Sequence, residues 1–128
     1  MENYKLLGLS PLLETPDVES TLKFYTEILG FIIENYSKEY QWALLKRDDI
    51  TIMISAPNTE RNMPAPIMSG SIYIRTENVD SAWEQLKDRC NIYYPIENFH
   101  YGMREFGLFD NNGYLLQFGQ VIAAGVNL

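Results

Sequence analysis

The chain has 128 residues, 46% hydrophobic and 13% aromatic, which is enough to bury a sizeable core in one compact body and leaves no room for a second domain. Its formal charge of −7 argues against nucleic acid as a partner, since neutralising phosphates takes a basic surface, and suits a cationic or neutral small molecule better. No apolar run approaches the roughly 20 residues that span a bilayer, the tail Val121 to Leu128 is far shorter, and nothing resembles a secretion signal, so a cytoplasmic protein with no membrane partner is expected.

From the N-terminus, Leu6 to Leu13 reads as a first strand. Asp17 then offers a short side-chain oxygen to the first turn of a helix, and Val18, Leu22, Tyr25 and Leu29 recur at helical spacing along one face. Strands follow at Phe31 to Tyr36, Trp42 to Lys46 and Ile50 to Ser55, with Arg47-Asp48-Asp49 as a hairpin turn between the last two. Ala56 to Gly70 contains Pro57, Pro64 and Pro66 and little apolar periodicity, so it reads as a connector; Met63 and Met68 leave open a lid that packs on the body.

After the connector the same order returns. Ser71 to Arg75 is a strand, and Asn78 caps a helix whose apolar face carries Val79, Ala82, Trp83, Leu86 and Cys90. Arg104 to Phe109 and Tyr114 to Gln120 are strands joined by Asn111-Asn112-Gly113, residues that tolerate a positive φ. Val18-Glu19-Ser20 overlays Val79-Asp80-Ser81 at an offset of 61 residues, which sets Asp17 on Asn78 and Ser10 on Ser71. The chain is therefore a weak internal repeat of α+β modules: module one about 4–55, connector about 56–69, module two about 70–120.

Few side chains stand out for chemistry. Cys90 is the sole cysteine, so no intrachain disulfide forms, and its place on an apolar helix face reads as a buried, unreactive thiol. His100, the sole histidine, lies in the loop Asn98-Phe99-His100-Tyr101-Gly102; it reads as a loop cap or a solvent-facing group, and in a cleft it could exchange protons near neutral pH. Arg104 and Glu105 alternate across the start of a strand, so one points in and the other out; an inward Glu105 could meet a cationic ligand. Glu14, Glu34 and Glu97 are scattered singly and read as solvated surface. A phosphate loop, a nucleophile elbow and a His-Glu-x-x-His sequence are all absent.

Two segments carry a resemblance. Asp17-Val18-Glu19-Ser20-Thr21-Leu22-Lys23-Phe24-Tyr25 with Ile28-Leu29-Gly30-Phe31, and Gly102-Met103-Arg104-Glu105-Phe106 with Asp110-Asn111-Asn112-Gly113-Tyr114, resemble the vicinal oxygen chelate superfamily of glyoxalase I, extradiol dioxygenases, fosfomycin resistance enzymes and bleomycin resistance proteins. Asn111 and Asn112 replace the family's usual Pro and Asp, a change that should keep the turn. The resemblance implies paired βαβββ modules curling into an incomplete barrel around a cleft, commonly as a homodimer and sometimes with modules exchanged between chains.

It also implies where metal ligands would lie. Carried over residue by residue, those positions hold Ser10, Ser71, Gln117 and Ile54. A neutral hydroxyl is a poor ligand beside imidazole or carboxylate, Ile54 has no donor, and a single histidine excludes a two-histidine triad. No metal or other cofactor and no catalytic residue is therefore expected. A cleft on this scaffold would be lined by Ser10, Ile54, Ser71, Gln117, His100 and Glu105, with Trp42, Tyr73 and Tyr114 among the strand aromatics; Phe118 is a further strand aromatic.

The leading expectation is a metal-free binding protein, a homodimer closest in character to the bleomycin resistance type, that sequesters a cationic or aromatic small molecule. Two alternatives stay open. One is a lyase, isomerase or dioxygenase holding a divalent ion through unusual ligands such as Gln117 and Glu105. The other is an association module whose cleft has closed.

Overall fold

The computed structural model describes residues 3–58 and 67–125. The chain forms two compact units, residues 1–65 and 66–128, each a βαβββ module.

Unit one runs β1 (Leu12–Glu14), α1 (Val18–Lys23), a π-helical turn (Phe24–Ile28), β2 (Ile32–Ser37), β3 (Trp42–Arg47) and β4 (Ile50–Ser55). Its open sheet has the order β1-β4-β3-β2, with β1 parallel to β4 and the remaining pairs antiparallel. Registers Leu13↔Ile54, Ala43↔Ile54 and Leu45↔Ile52 put five apolar side chains on one face, all at most 3% exposed. Val18, Leu22, Tyr25 and Leu29 are buried as their spacing predicts, and α1 packs on β4. Burying each such side chain contributes about 1.5–3 kcal/mol. Asp17 caps α1 by accepting from Ser20 N–H at 3.1 Å, as expected from its residue type.

The expected first strand from Leu6 is much shorter in the structure. The Met53 N–H donates to the Pro11 carbonyl at 2.8 Å, but Pro11 has no N–H to return, and the ladder begins only at Leu12. Tyr4, Leu6, Leu7 and Leu9 precede it, 80–89% exposed.

Unit two runs β5 (Ile72–Arg75), α2 (Val79–Leu86), β6 (Asn91–Asn98), β7 (Met103–Phe109) and β8 (Leu115–Val121), in the order β5-β8-β7-β6, again with a parallel first pair. Asn78 caps α2 by accepting from Ser81 N–H at 3.1 Å. On the α2 side Trp83 meets Phe106 edge-on at 5.2 Å, and Phe106 stacks on Phe118 at 5.3 Å, so Phe118 serves this core. The turn before β8 survives without Pro: the Asp110 carboxylate, 6% exposed, accepts from the N–H groups of Asn112 and Tyr114 at 2.8 and 2.9 Å, and Gly113 takes φ 88°.

Two further expectations change. β6 was not foreseen; Pro95 lies within it and is tolerated because β6 is an edge strand. The second helix stops at Leu86, so Cys90 sits past its end and is half-buried, and burial pushes its thiol pKa up. Of the connector, residues 59–66, including Met63, lie outside the described residues. Among the described residues no helix is long and apolar enough to cross a membrane.

Candidate functional site

The face of the unit-two sheet away from α2 carries the polar chemistry. Strand alternation places Glu105, Gly107 and Phe109 of β7 on it, next to Gly119, Gln117 and Leu115 of β8 and Tyr73 of β5. Glu105 is 2% exposed. Such a carboxylate needs partners, because an unpaired buried charge is costly. It has three: the hydroxyls of Tyr73 and Tyr101 donate to Oε1 at 3.0 and 2.6 Å, and Tyr94 donates to Oε2.

Each tyrosine arrives by a local device. The hydroxyl end of Tyr73 lies over Gly119, where a Cβ would come within 2.0 Å of it, and Tyr94 lies over Gly107, where a Cβ would fall 2.5 Å from its ring. The glycines are the floor on which the rings rest. Tyr94 is brought there by β6, whose register shifts between Ile92 and Tyr94. Tyr101 returns over Glu105 through the tight turn Phe99 to Gly102, closed by Gly102 N–H to Phe99 O at 3.1 Å with Gly102 at φ 87°, a conformation that suits glycine.

The network runs on with a defined polarity. The one Tyr94 proton goes to Glu105, so Tyr94 must accept from the Gln117 Nε2, 2.9 Å away; this fixes the amide and leaves Gln117 Oε1 to accept from the Ser71 hydroxyl at 2.5 Å. Four rings frame the carboxylate. Phe99 stacks on Tyr101 at 5.5 Å and 12°, and Tyr94 meets Phe99 edge-on at 5.7 Å.

Burial first, then the hydrogen bond and the charge of Glu105, raise all three phenols above their ordinary 10.0, Tyr101 to about 12. For Tyr94 the bond from Gln117 works the other way, ahead of the Glu105 charge but behind burial and the Glu105 bond. The folded state thus holds these protons longer than the unfolded chain does. The stability that Tyr101 contributes in this way is complete below about pH 10 and is lost as pH rises from there through about 12, while Tyr73 and Tyr94, raised further, hold theirs to higher pH. Melting temperature is expected to fall more steeply above pH 10 for the native chain than for Tyr101→Phe; parallel curves would contradict the assignment.

Farther along the same face, a cavity of about 320 Å³ is lined by Met68, Tyr93, Phe109, Tyr114 and Leu115 among others, with Tyr93 and Phe109 at 5.1 Å.

Of the residues expected in a cleft, unit two brings Ser71, Tyr73, Glu105 and Gln117 into one network, sets Tyr114 at the cavity, and leaves His100 exposed in its loop with its ring edge-on to Tyr101 at 5.3 Å. Arg104 points the other way, held by Asp80 and Asn98. In unit one, the Ser10 hydroxyl bonds that of Thr51, and Trp42 is half-buried on β3. Ile54 is fully buried on the α1 side, so its side chain serves the core of unit one. The offset of 61 lays Leu12 on Tyr73; Leu12 pairs with Met53 where Tyr73 pairs with Gln117, so Met53 is the true counterpart of Gln117. Tyr94, Tyr101, Phe99 and the two glycines were not singled out in the sequence. A glycine inside a strand, which marks close approach, was the available signal.

A metal does not fit the inherited positions. Ser71 and Gln117 are engaged with each other, Gln117 spends its amide on Tyr94, and Met53 is a thioether. Among the described residues no three His, Cys, Asp or Glu side chains gather.

The model of the Glyoxalase/Bleomycin resistance protein/Dioxygenase superfamily matches residues 10–118. No curated protein matches the chain. Among solved structures, a glyoxalase/bleomycin resistance protein/dioxygenase from Nocardioides is 16% identical, with 98% of this chain and 92% of that one covered at TM-score 0.72. The bleomycin-binding protein of Streptomyces verticillus, solved with copper(II)-bleomycin, is 22% identical, with coverage of 94% and 99% and TM-score 0.67. A lactoylglutathione lyase from Agrobacterium tumefaciens is 12% identical, with coverage of 92% and 96% and TM-score 0.68. At these identities the likeness is one of fold, carried alike by a binder and a lyase.

Proposed function

Because the chain belongs to the glyoxalase/bleomycin resistance protein/dioxygenase superfamily, whose fold serves both binding and catalysis, we propose that it is a metal-free binding protein for a cationic or aromatic small molecule. The observation that carries this is Glu105: a buried carboxylate with no cationic side chain bonded to it among the described residues, held by three hydroxyls under a surface of aromatic rings. Negative charge behind aromatic faces attracts organic cations. The chain's charge of −7 favours their approach. We further take it to act in the cytoplasm as a homodimer, for which the exposed Tyr4, Leu6, Leu7 and Leu9 supply apolar surface.

Thermal unfolding of chelator-treated protein tests this reading. Zinc, nickel, manganese, ferrous iron and magnesium are expected to leave the midpoint unmoved, whereas a cationic aromatic compound at 100 times its Kd adds about 2.7 kcal/mol. A saturable shift with one metal that disappears in Gln117→Ala would overturn the binder. Sedimentation of the same samples as monomers would remove the homodimer.

A further inference from the structure

Within that reading, we propose that the Glu105 site selects a permanently alkylated cation, a quaternary ammonium, over a primary amine, and that its ligand carries an apolar arm reaching the cavity at Phe109.

The selectivity follows from counting acceptors. A carboxylate offers about four lone-pair sites, and three are taken by Tyr73, Tyr94 and Tyr101. Tyr94 also accepts from Gln117, and the Gln117 oxygen accepts from Ser71. A primary ammonium leaves water with three N–H groups and finds about one strong acceptor, unless it displaces a tyrosine whose own proton is then stranded. A quaternary ammonium has no N–H to satisfy. It needs ring surface and a negative field, which the exposed Tyr73 and Tyr101, the stacked Phe99 and the carboxylate beneath them supply together.

The arm follows from strand geometry. Glu105 and Phe109 lie on the same face of β7 four residues apart, about 13 Å at the usual rise. Between them the floor is Gly107 under the Tyr94 ring, and at the far end stand Met68, Tyr93, Phe109 and Leu115. An elongated ligand lying along β7 would contact the charge at one end and the cavity at the other.

The test is calorimetric titration of the native protein with phenylhexyl-trimethylammonium, the matching primary phenylhexylammonium, and tetramethylammonium, which lacks the arm. The quaternary compound is expected to bind at least tenfold more tightly than the primary one and than tetramethylammonium. In the double variant Tyr73→Phe, Tyr101→Phe, the rings remain but two acceptor sites on Glu105 are freed, so the preference over the primary amine should shrink by about tenfold. Equal or tighter binding of the primary amine, lost in Glu105→Gln, would overturn the selectivity and leave the binder standing. Binding of the quaternary compound unaffected by Glu105→Gln, or no binding of any cation, would overturn both. The comparison of ligands on the native chain needs no variant to fold.

Discussion

Glu105→Gln is expected to destabilise the protein by about 2–3 kcal/mol, although it changes one atom and no volume. The reason is a proton count. If the new amide turns its nitrogen toward Tyr94, the Tyr94 proton loses its acceptor at position 105 and is taken up again only when the Gln117 amide inverts and donates to Ser71 instead of accepting from it. If the amide turns the other way, Tyr73 and Tyr101 lose theirs. Either orientation strands a hydroxyl or forces the Gln117–Ser71 bond to reverse, a change worth about 1–3 kcal/mol, and weakens the remaining bonds by removing the charge that strengthens them. Tyr101→Phe should cost less, about 1 kcal/mol, since it removes one donor and leaves Glu105 those of Tyr73 and Tyr94. Denaturant titration separates the two. A Glu105→Gln variant as stable as the native chain would mean that the network gains nothing from a charged acceptor.

Gly107→Ala should have an effect of similar size for a different reason. The added Cβ would sit 2.5 Å from Cε1 and 2.9 Å from Cδ1 of Tyr94, in the middle of a ring held by Glu105, Gln117 and Phe99. Either the strand moves or the ring leaves with its hydrogen bonds. Overpacking costs about 1–3 kcal/mol, and the small gain from alanine's stiffer backbone does not recover it. A loss of about 2–3 kcal/mol lowers the midpoint by roughly 10 °C in a chain of this size. A double-mutant cycle makes the cause explicit: in Tyr94→Ala, the same Gly107→Ala change should be close to neutral. Equal losses in both backgrounds would place the strain in the backbone instead. Gly119→Ala should be milder for stability, because it meets the hydroxyl end of the half-exposed Tyr73 rather than the middle of a ring, but it should still detach that hydroxyl from Glu105.

Local signals in the sequence carried most of the fold. Asp17 and Asn78 cap the two helices, the Val18 to Leu29 spacing marks the buried face, and the two motif segments lie within the span matched by the superfamily. What local signals could not carry was pairing. Pro95 hid β6 because a proline argues against an interior strand and only the sheet order reveals an edge. Leu6 to Leu9 has the composition of a strand, but its ladder stops at Pro11. The same limit applies to the site. Alternation showed that either Arg104 or Glu105 would point inward, yet the convergence of Tyr73, Tyr94 and Tyr101 on it depends on three registers, a bulge and a turn. Ile54 and Met53 differ by one residue, and a shift of one residue exchanges the two faces of a strand.

The rings resting on Gly107 and Gly119 have a consequence for how this site can change. Tyr94 with Gly107, and Tyr73 with Gly119, each fill one volume jointly, so neither glycine is free to grow alone. A larger residue at either glycine requires a smaller one above it, and every such exchange removes a hydroxyl from Glu105. The specificity of the site is therefore written in two residue pairs. A pocket of new shape would be reached by replacing a pair together, with the carboxylate's charge then passing to whatever donor the incoming ligand supplies.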